Sequence, residues 1–255
     1  MKRAFRVALI LAAGFAAGCA SVPSDPAARA QFEADHDPLE PLNRKTFAFN
    51  ESVDRTLIKP LAKVYRAVLP QDGREMVRHF LDNLNEPLVF LNNVLQGRFR
   101  SAQTTGCRFV VNTTIGLGGL GDVAAKENLP LQVGDFGQTL WRWGLPEGPY
   151  LIIPVLGPSN PRDGIGTGVD LYIDPFRYFA RAQGYGTPVT GTKIVVDGVD
   201  KRSRNIDSLD EIHKEAIDYY ASFRSLFRQH RAAELGGAGS PSKLPTPDIY
   251  EDPGR

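Results

Sequence analysis

Apolar residues recur at helical spacing through most of the middle of the chain. Leu39, Leu42, Phe49 and Val53 fall near one helical face, behind Asp37-Pro38, which reads as an N-cap and first helical residue. Leu57, Leu61, Val64, Tyr65 and Val68 make a second stripe that ends at Pro70, and Met76, Val77, Phe80, Leu81 and Leu84 make a third. Asn85 is placed to cap a short fourth helix carrying Leu88, Phe90, Leu91 and Leu95, stopped by Gly97. Ser101 to Thr114 fits a fifth helix, with a strand as the rival because Phe109, Val110 and Val111 favour strands. Near the end, Ser208 and Glu211 form a capping box ahead of Ile212, Ala216, Tyr219, Phe223 and Phe227. The pattern predicts a mainly α fold in a single domain.

Two stretches break this rhythm. Gly134 to Pro175 holds both tryptophans and many prolines and glycines, which exclude long regular elements and predict irregular backbone with a short helix after Asn160-Pro161. Gly236 to Arg255 is rich in Gly, Ser and Pro and reads as a disordered tail.

The first residues carry a different signal. Lys2, Arg3 and Arg6 precede an apolar run from Val7 to Ala17, followed by Gly18 and Cys19. A basic start, a short apolar core and small residues before a cut site make a secretory signal, and the core is too short to span a bilayer. Ala-Ala-Gly before Cys19 resembles the bacterial lipobox, in which the cysteine is acylated and becomes the mature N-terminus. The alternative is an ordinary cut near Gly18 that leaves a free thiol. Ala20, where an aspartate would favour inner-membrane retention, points to the outer membrane facing the periplasm. The domain reading is residues 1–18 as lipoprotein signal, 19–36 as lipidated tether, 37–235 as the folded domain and 236–255 as the tail.

Composition narrows the chemistry. The 255 residues carry 30 basic and 29 acidic side chains, a net charge of +1, which is no nucleic-acid footprint. With Cys19 acylated, Cys107 stands alone, so neither a disulfide nor a cysteine metal site forms, and its apolar surroundings predict a buried inert thiol. His36, His79, His213 and His230 lack metal spacing, and no nucleophile elbow occurs. Asp163, Asp170 and Asp174 lie close in sequence, with capping and turn formation accounting for Asp163 and Asp174. The sequence therefore yields no catalytic, metal or cofactor site. Gly116-Leu117-Gly118-Gly119-Leu120-Gly121 matches a dinucleotide-binding glycine pattern, but no clear second strand follows it.

Ordered motifs identify a family. Asp37-Pro38-Leu39-Glu40, Asn43-Arg44 and Phe49-Asn50 are similar to the start of the VacJ/MlaA outer-membrane lipoproteins. Asn83-Leu84-Asn85-Glu86-Pro87, Asn92, Leu95-Gln96-Gly97 and Arg108 to Gly116 continue the resemblance, through Gly118-Gly119 and Asp122-Val123-Ala124. Asp135-Phe136-Gly137-Gln138-Thr139-Leu140 follows, then Gly144, Gly148-Pro149-Tyr150, Pro154, Gly157-Pro158-Ser159 and Arg162-Asp163. Pro41-Leu42 and Pro146-Glu147 depart from the pattern, and residues beyond about 180 match weakly.

The resemblance implies a helical, ring-shaped domain lying in the periplasmic leaflet of the outer membrane. It implies removal of mislocalised phospholipid from the outer leaflet, delivery to a periplasmic phospholipid-carrier protein, association with a trimeric porin, and no covalent chemistry. A structural lipoprotein that scaffolds porins without moving lipid is the alternative. Ile115, Gly116, Leu117, Gly118, Gly119 and Leu120, with Asn112 before them, form an apolar, flexible segment suited to a hairpin at a lipid channel. A plain turn between helices is the rival reading of the same residues.

Overall fold

The computed structural model describes residue 25 and residues 37–236. The signal segment, Cys19, the tether and residues 237–255 lie outside the described residues. Helix α1 (Glu40–Val53) runs through one π-helical turn (Asp54–Ile58) into α2 (Lys59–Val68). The two stripes expected as separate helices thus belong to one continuous helical run. Pro60 explains the widened turn: it lacks an N–H and its ring crowds the preceding turn, so the ladder opens just before it, with the Lys59 N–H donating to the Asp54 carbonyl. Asp37-Pro38 does not start the helix; Asp37 heads a turn in which its carbonyl accepts from the Glu40 N–H at 3.0 Å.

Helix α3 (Gln71–Leu95) is 25 residues long and passes through Asn85 and Pro87 without a break. Asn85 therefore caps nothing; packing along both flanks of Pro87 outweighs the one lost hydrogen bond. The helix is long enough to cross a bilayer but too polar, and no helix among the described residues is both long and apolar enough to do so. Gly97, at φ 69°, ends the turn that leads to α4 (Phe99–Thr114), which settles the helix-or-strand ambiguity in favour of helix. Gly106 of α4 packs against the Phe90 ring of α3, where an added Cβ would lie at 3.5 Å.

The Gly/Pro-rich stretch is more regular than its composition predicts. It contains α6 (Phe136–Arg142, after the short α5, Val123–Lys126), an antiparallel pair β1 (Leu151–Ile153) and β2 (Gly157–Ser159), and α7 (Pro161–Ile173). Asn160 caps α7 as expected, its side chain accepting from the Asp163 N–H at 2.8 Å. The glycines serve close approach rather than irregularity. A Cβ on Gly166 would sit 2.3 Å from the Gly137 nitrogen, so α6 and α7 meet backbone to backbone.

Helices α8 (Pro175–Ala182), α9 (Gly186–Arg204), α10 (Ile206–Glu215) and α11 (Tyr219–Gly236) complete the chain. Ser208 and Glu211 lie inside α10 rather than forming its cap, and the single helix expected from Ile212 to Phe227 breaks at Ala216–Asp218. The break has a cause: Asp218 accepts the Ala221 N–H at 3.1 Å and is gripped by Arg44 at 2.6 and 3.2 Å, which starts α11 afresh.

The fold is mainly α, and its contacts close on themselves. The α1–α2 run packs on α9, α9 on α3, α3 on α6 and α6 on α7. Helix α11 joins α7 back to α1 through Arg231–Asp163 and Arg44–Asp218. The apolar core is small: Tyr150, Ile152 and Tyr220, with Phe47 and Phe227 packed against them.

Candidate functional site: a glycine hairpin on a buried ionic platform

Polarity is inverted in this ring. Among the described residues, buried polar and charged side chains outnumber buried apolar ones by more than two to one. Large apolar side chains such as Leu57, Val64, Phe99, Val110, Trp143, Phe179 and Val195 lie exposed. In a water-surrounded domain the reverse holds. A contiguous outward apolar surface marks contact with lipid or another apolar partner.

The hairpin sits where α4 ends. The Gly119 and Gly118 N–H groups donate to the Asn112 and Thr113 carbonyls at 2.8 and 3.0 Å, and the Gly121 N–H donates to the Gly116 carbonyl at 2.9 Å. Leu117, Gly118 and Gly119 take φ of 55°, 73° and 95°, three left-handed residues in a row. Ile115 and Leu117 project outward, 66% and 78% exposed, while Gly116 and Gly119 are buried. Gly119 rests on α3: a Cβ there would lie 2.5 Å from the Asn83 Cβ. The Asn83 amide donates to the Thr113 hydroxyl at 3.0 Å.

Beneath the hairpin lies Arg108, 2% exposed. It donates to Glu86 at 2.8 Å, to Asp122 at 2.9 Å and to the Leu129 carbonyl at 2.5 Å. Asn112 bridges the two ends of the loop, donating to Asp122 at 3.1 Å and accepting the Ala124 N–H at 2.9 Å. Burial works against ionisation of Asp122, but its bonds from Arg108 and Asn112 outweigh this and hold it below the usual carboxylate range. Glu86 differs. Its second carboxylate oxygen has no partner, and burial pushes it up to about 7 despite Arg108. One turn away, burial raises Asp82 to about 6, and two turns away it lowers His79.

Asn112 and Ile115 to Leu120 are thus brought together as one structural unit, an apolar tip on a charged base. The preceding element is a helix, not a strand, so the glycine pattern here does not build a dinucleotide site. Sequence reading missed Arg108, Glu86 and Asn83 as its supports. Their signal was spacing: Asn83, Glu86 and Asn93 on α3, and Ala102, Thr105, Arg108 and Asn112 on α4, fall on single faces and are all buried.

The other sequence candidates are distributed elsewhere. Cys107 is exposed, contrary to expectation, because Thr105 and Arg108 set the buried face of α4 and Cys107 lies off it. Asp170 accepts from Asn92 and from the Phe136 N–H, Asp174 caps α8, and Asp163 is gripped by Arg162 and Arg231. His213 lies 3.7 Å from Glu51, and His230 3.2 Å from Glu234. No His/Cys/Asp/Glu group that could hold a metal occurs among the described residues.

The fold and the hairpin define a class: helical ring proteins with polar interiors and apolar outer faces, with no membrane-crossing helix among the described residues. The chain belongs to the MlaA lipoprotein family, whose profile matches residues 35–234. It is 32% identical over 250 residues to the intermembrane phospholipid transport system lipoprotein MlaA of Escherichia coli (strain K12), covering 96% of this chain and 94% of that one. The Haemophilus influenzae protein of the same name is 32% identical over 205 residues, 78% of this chain and 79% of the relative. A solved structure from work on the structural basis for maintenance of bacterial outer membrane lipid asymmetry aligns with a TM-score of 0.68. It shares 30% identity and covers 78% of this chain and 98% of that one.

Proposed function

We propose that this chain is an acylated outer-membrane lipoprotein that removes mislocalised phospholipid from the outer leaflet and passes it to a periplasmic carrier. The inverted polarity of the ring carries this reading. An apolar rim suits a protein seated in one leaflet, and a ring of buried ionic and amide groups suits passage of a charged headgroup that would be costly in hydrocarbon. The family membership and the names of its relatives support the same direction. In this reading Cys19 carries the acyl chains, Ile115, Leu117 and Leu120 line the lipid path, and a trimeric porin braces the ring.

Movement through the protein is passive and makes or breaks no covalent bond. The ionisable groups of the platform are engaged with one another and serve the hairpin's geometry. The decisive experiment compares surface-exposed phospholipid in cells lacking the gene with cells expressing it. Accumulation that the parent gene reverses is expected. Unchanged surface phospholipid, together with no phospholipid co-purifying, favours the porin-scaffold alternative and overturns the transport reading.

A further inference from the structure

The seat of the hairpin buries acceptor oxygens on Asn83 and Glu86 with no hydrogen between them. Asn83, 3% exposed, turns its amide N–H groups toward the hairpin, donating to the Thr113 hydroxyl at 3.0 Å and to the Gly118 carbonyl at 3.4 Å. A carbonyl can only accept, which fixes the amide's orientation and turns its oxygen away from Gly118. That oxygen is buried and has no donor. One turn along the same face of α3 stands Glu86, 1% exposed. Arg108 Nε donates to one of its carboxylate oxygens at 2.8 Å; the other is buried and has no donor either. Arg108 directs its remaining bonds to Asp122 and the Leu129 carbonyl. Asn93, the next amide on this face, lies two turns on beside Gly134 and supplies neither oxygen.

Buried acceptors without donors are costly, because they lose their bonds to water and gain none. A single proton on Glu86 satisfies both oxygens: a carboxylic acid can donate to the Asn83 oxygen and still accept from Arg108. We infer that Glu86 is a protonated positioning residue whose acid hydrogen fixes the Asn83 amide and so locks the hairpin onto α3, and that loss of this proton frees the hairpin. Gly119 rests directly on Asn83, so the amide's orientation sets the seat.

The charged groups around Glu86 agree with a neutral acid. Arg108 faces it from α4, Asp122 from the start of α5 and Asp82 from its own helix, while Arg204 and Lys201 of α9 reach Asp82. His79 lies near Asp122 and Arg108, and burial disfavours its charged form. Burial of Glu86 outweighs Arg108, the two acids add to it, and the carboxyl stands at about 7. Opening the hairpin lets water reach Asn83 and Glu86, and a wetted Glu86 returns toward its ordinary range near 4.5. The closed seat therefore holds a proton that the open one releases. From about pH 4.5 to about 7 the open fraction should grow up to about tenfold per pH unit, then level off. The hairpin is shut in acid and free to move near neutrality. This lock stands on the seat alone and does not require that lipid passes it.

Amide hydrogen exchange of the full-length protein in detergent reads the seat at the Gly118, Gly119 and Gly121 N–H groups, which donate within the hairpin. Rates are divided by the intrinsic exchange rate at each pH, because that rate itself rises with pH. Protection of these amides is expected to fall between about pH 5 and about pH 7, with a slope approaching about tenfold per unit. Glu86→Gln keeps a donor for Asn83 and an acceptor for Arg108 with no proton to lose, so its protection should stay high and flat. Glu86→Met keeps the volume and removes the donor, so its protection should be low even in acid; if that variant does not fold, Glu86→Gln is the deciding comparison. Asp82→Asn should retain the parent's slope. A flat parent profile, a slope that survives in Glu86→Gln, or a slope abolished by Asp82→Asn alone overturns the inference.

Discussion

At the scale of single residues, this protein is governed by what it buries. Arg108 and Glu86 are 2% and 1% exposed and form the base on which the hairpin stands. Removing one member of a buried pair leaves the other charge stranded, at a cost of about 3–5 kcal/mol. Arg108→Ala is therefore expected to lower the thermal midpoint sharply and to loosen the hairpin, read as proteolytic cutting between Thr114 and Asp122. An Arg108→Ala variant as stable as the parent would deny the platform its role. The carboxyls of Asp82 and Glu86 stand above their ordinary range, at about 6 and about 7. Stability from such groups is present while they are protonated and is lost as pH rises through those values. Denaturant unfolding should therefore show stability falling as pH rises from about 4, the ordinary carboxyl range, to about 7, a slope flattened by combining Asp82→Asn with Glu86→Gln. These residues were legible only in part. The motif around Asn83 to Pro87 was visible, but a polar stripe looks alike whether it faces water or a polar interior, because helical spacing does not say which side is inside.

At the scale of elements, local signals succeeded where they are local. Asn160 capping α7 and Gly97 closing α3 were readable because caps are made by adjacent residues. The new helix expected from Asn85 and the continuous last helix failed because distant residues decide them: packing carries α3 through Asn85 and Pro87, and Arg44 draws Asp218 out of the helical run. The short helix after Asn160 grew to 13 residues because Gly166 meets Gly137, a partner distant in sequence. The segment from Ile115 to Leu120 is a tight turn held by the Gly118, Gly119 and Gly121 N–H groups, and its conformation separates its glycines. Gly118 has open space around its Cβ position, so Gly118→Ala is left with the left-handed backbone penalty alone, about 1–2 kcal/mol. Gly119→Ala adds a collision with Asn83 and should unseat the hairpin. Thermal unfolding of the two variants should rank them clearly, with Gly119→Ala the less stable; equal melting points would mean that the hairpin does not rest on α3.

At the scale of the whole molecule, a closed circuit of helices with charge inside and apolar side chains outside is a poor design for water and a good one for a leaflet. Acylation at Cys19 would fix the chain to the membrane, and mass spectrometry of the extracted protein should find a mature chain that begins there and carries lipid mass. The ring should hold the membrane even without that anchor: a Cys19→Ser chain secreted through an ordinary signal is expected to pellet with membranes, and a freely soluble product would show that the apolar rim faces protein instead. The central claim is that phospholipid passes the hairpin. Leu117→Asp combined with Leu120→Asp puts charge into the path while leaving the platform, the ring contacts and Cys19 untouched, and charge at membrane depth is expensive. The most direct measurement is surface-exposed phospholipid in cells that express this variant at parental level. The account predicts accumulation matching that of cells lacking the gene; clearance equal to the parent's would contradict it.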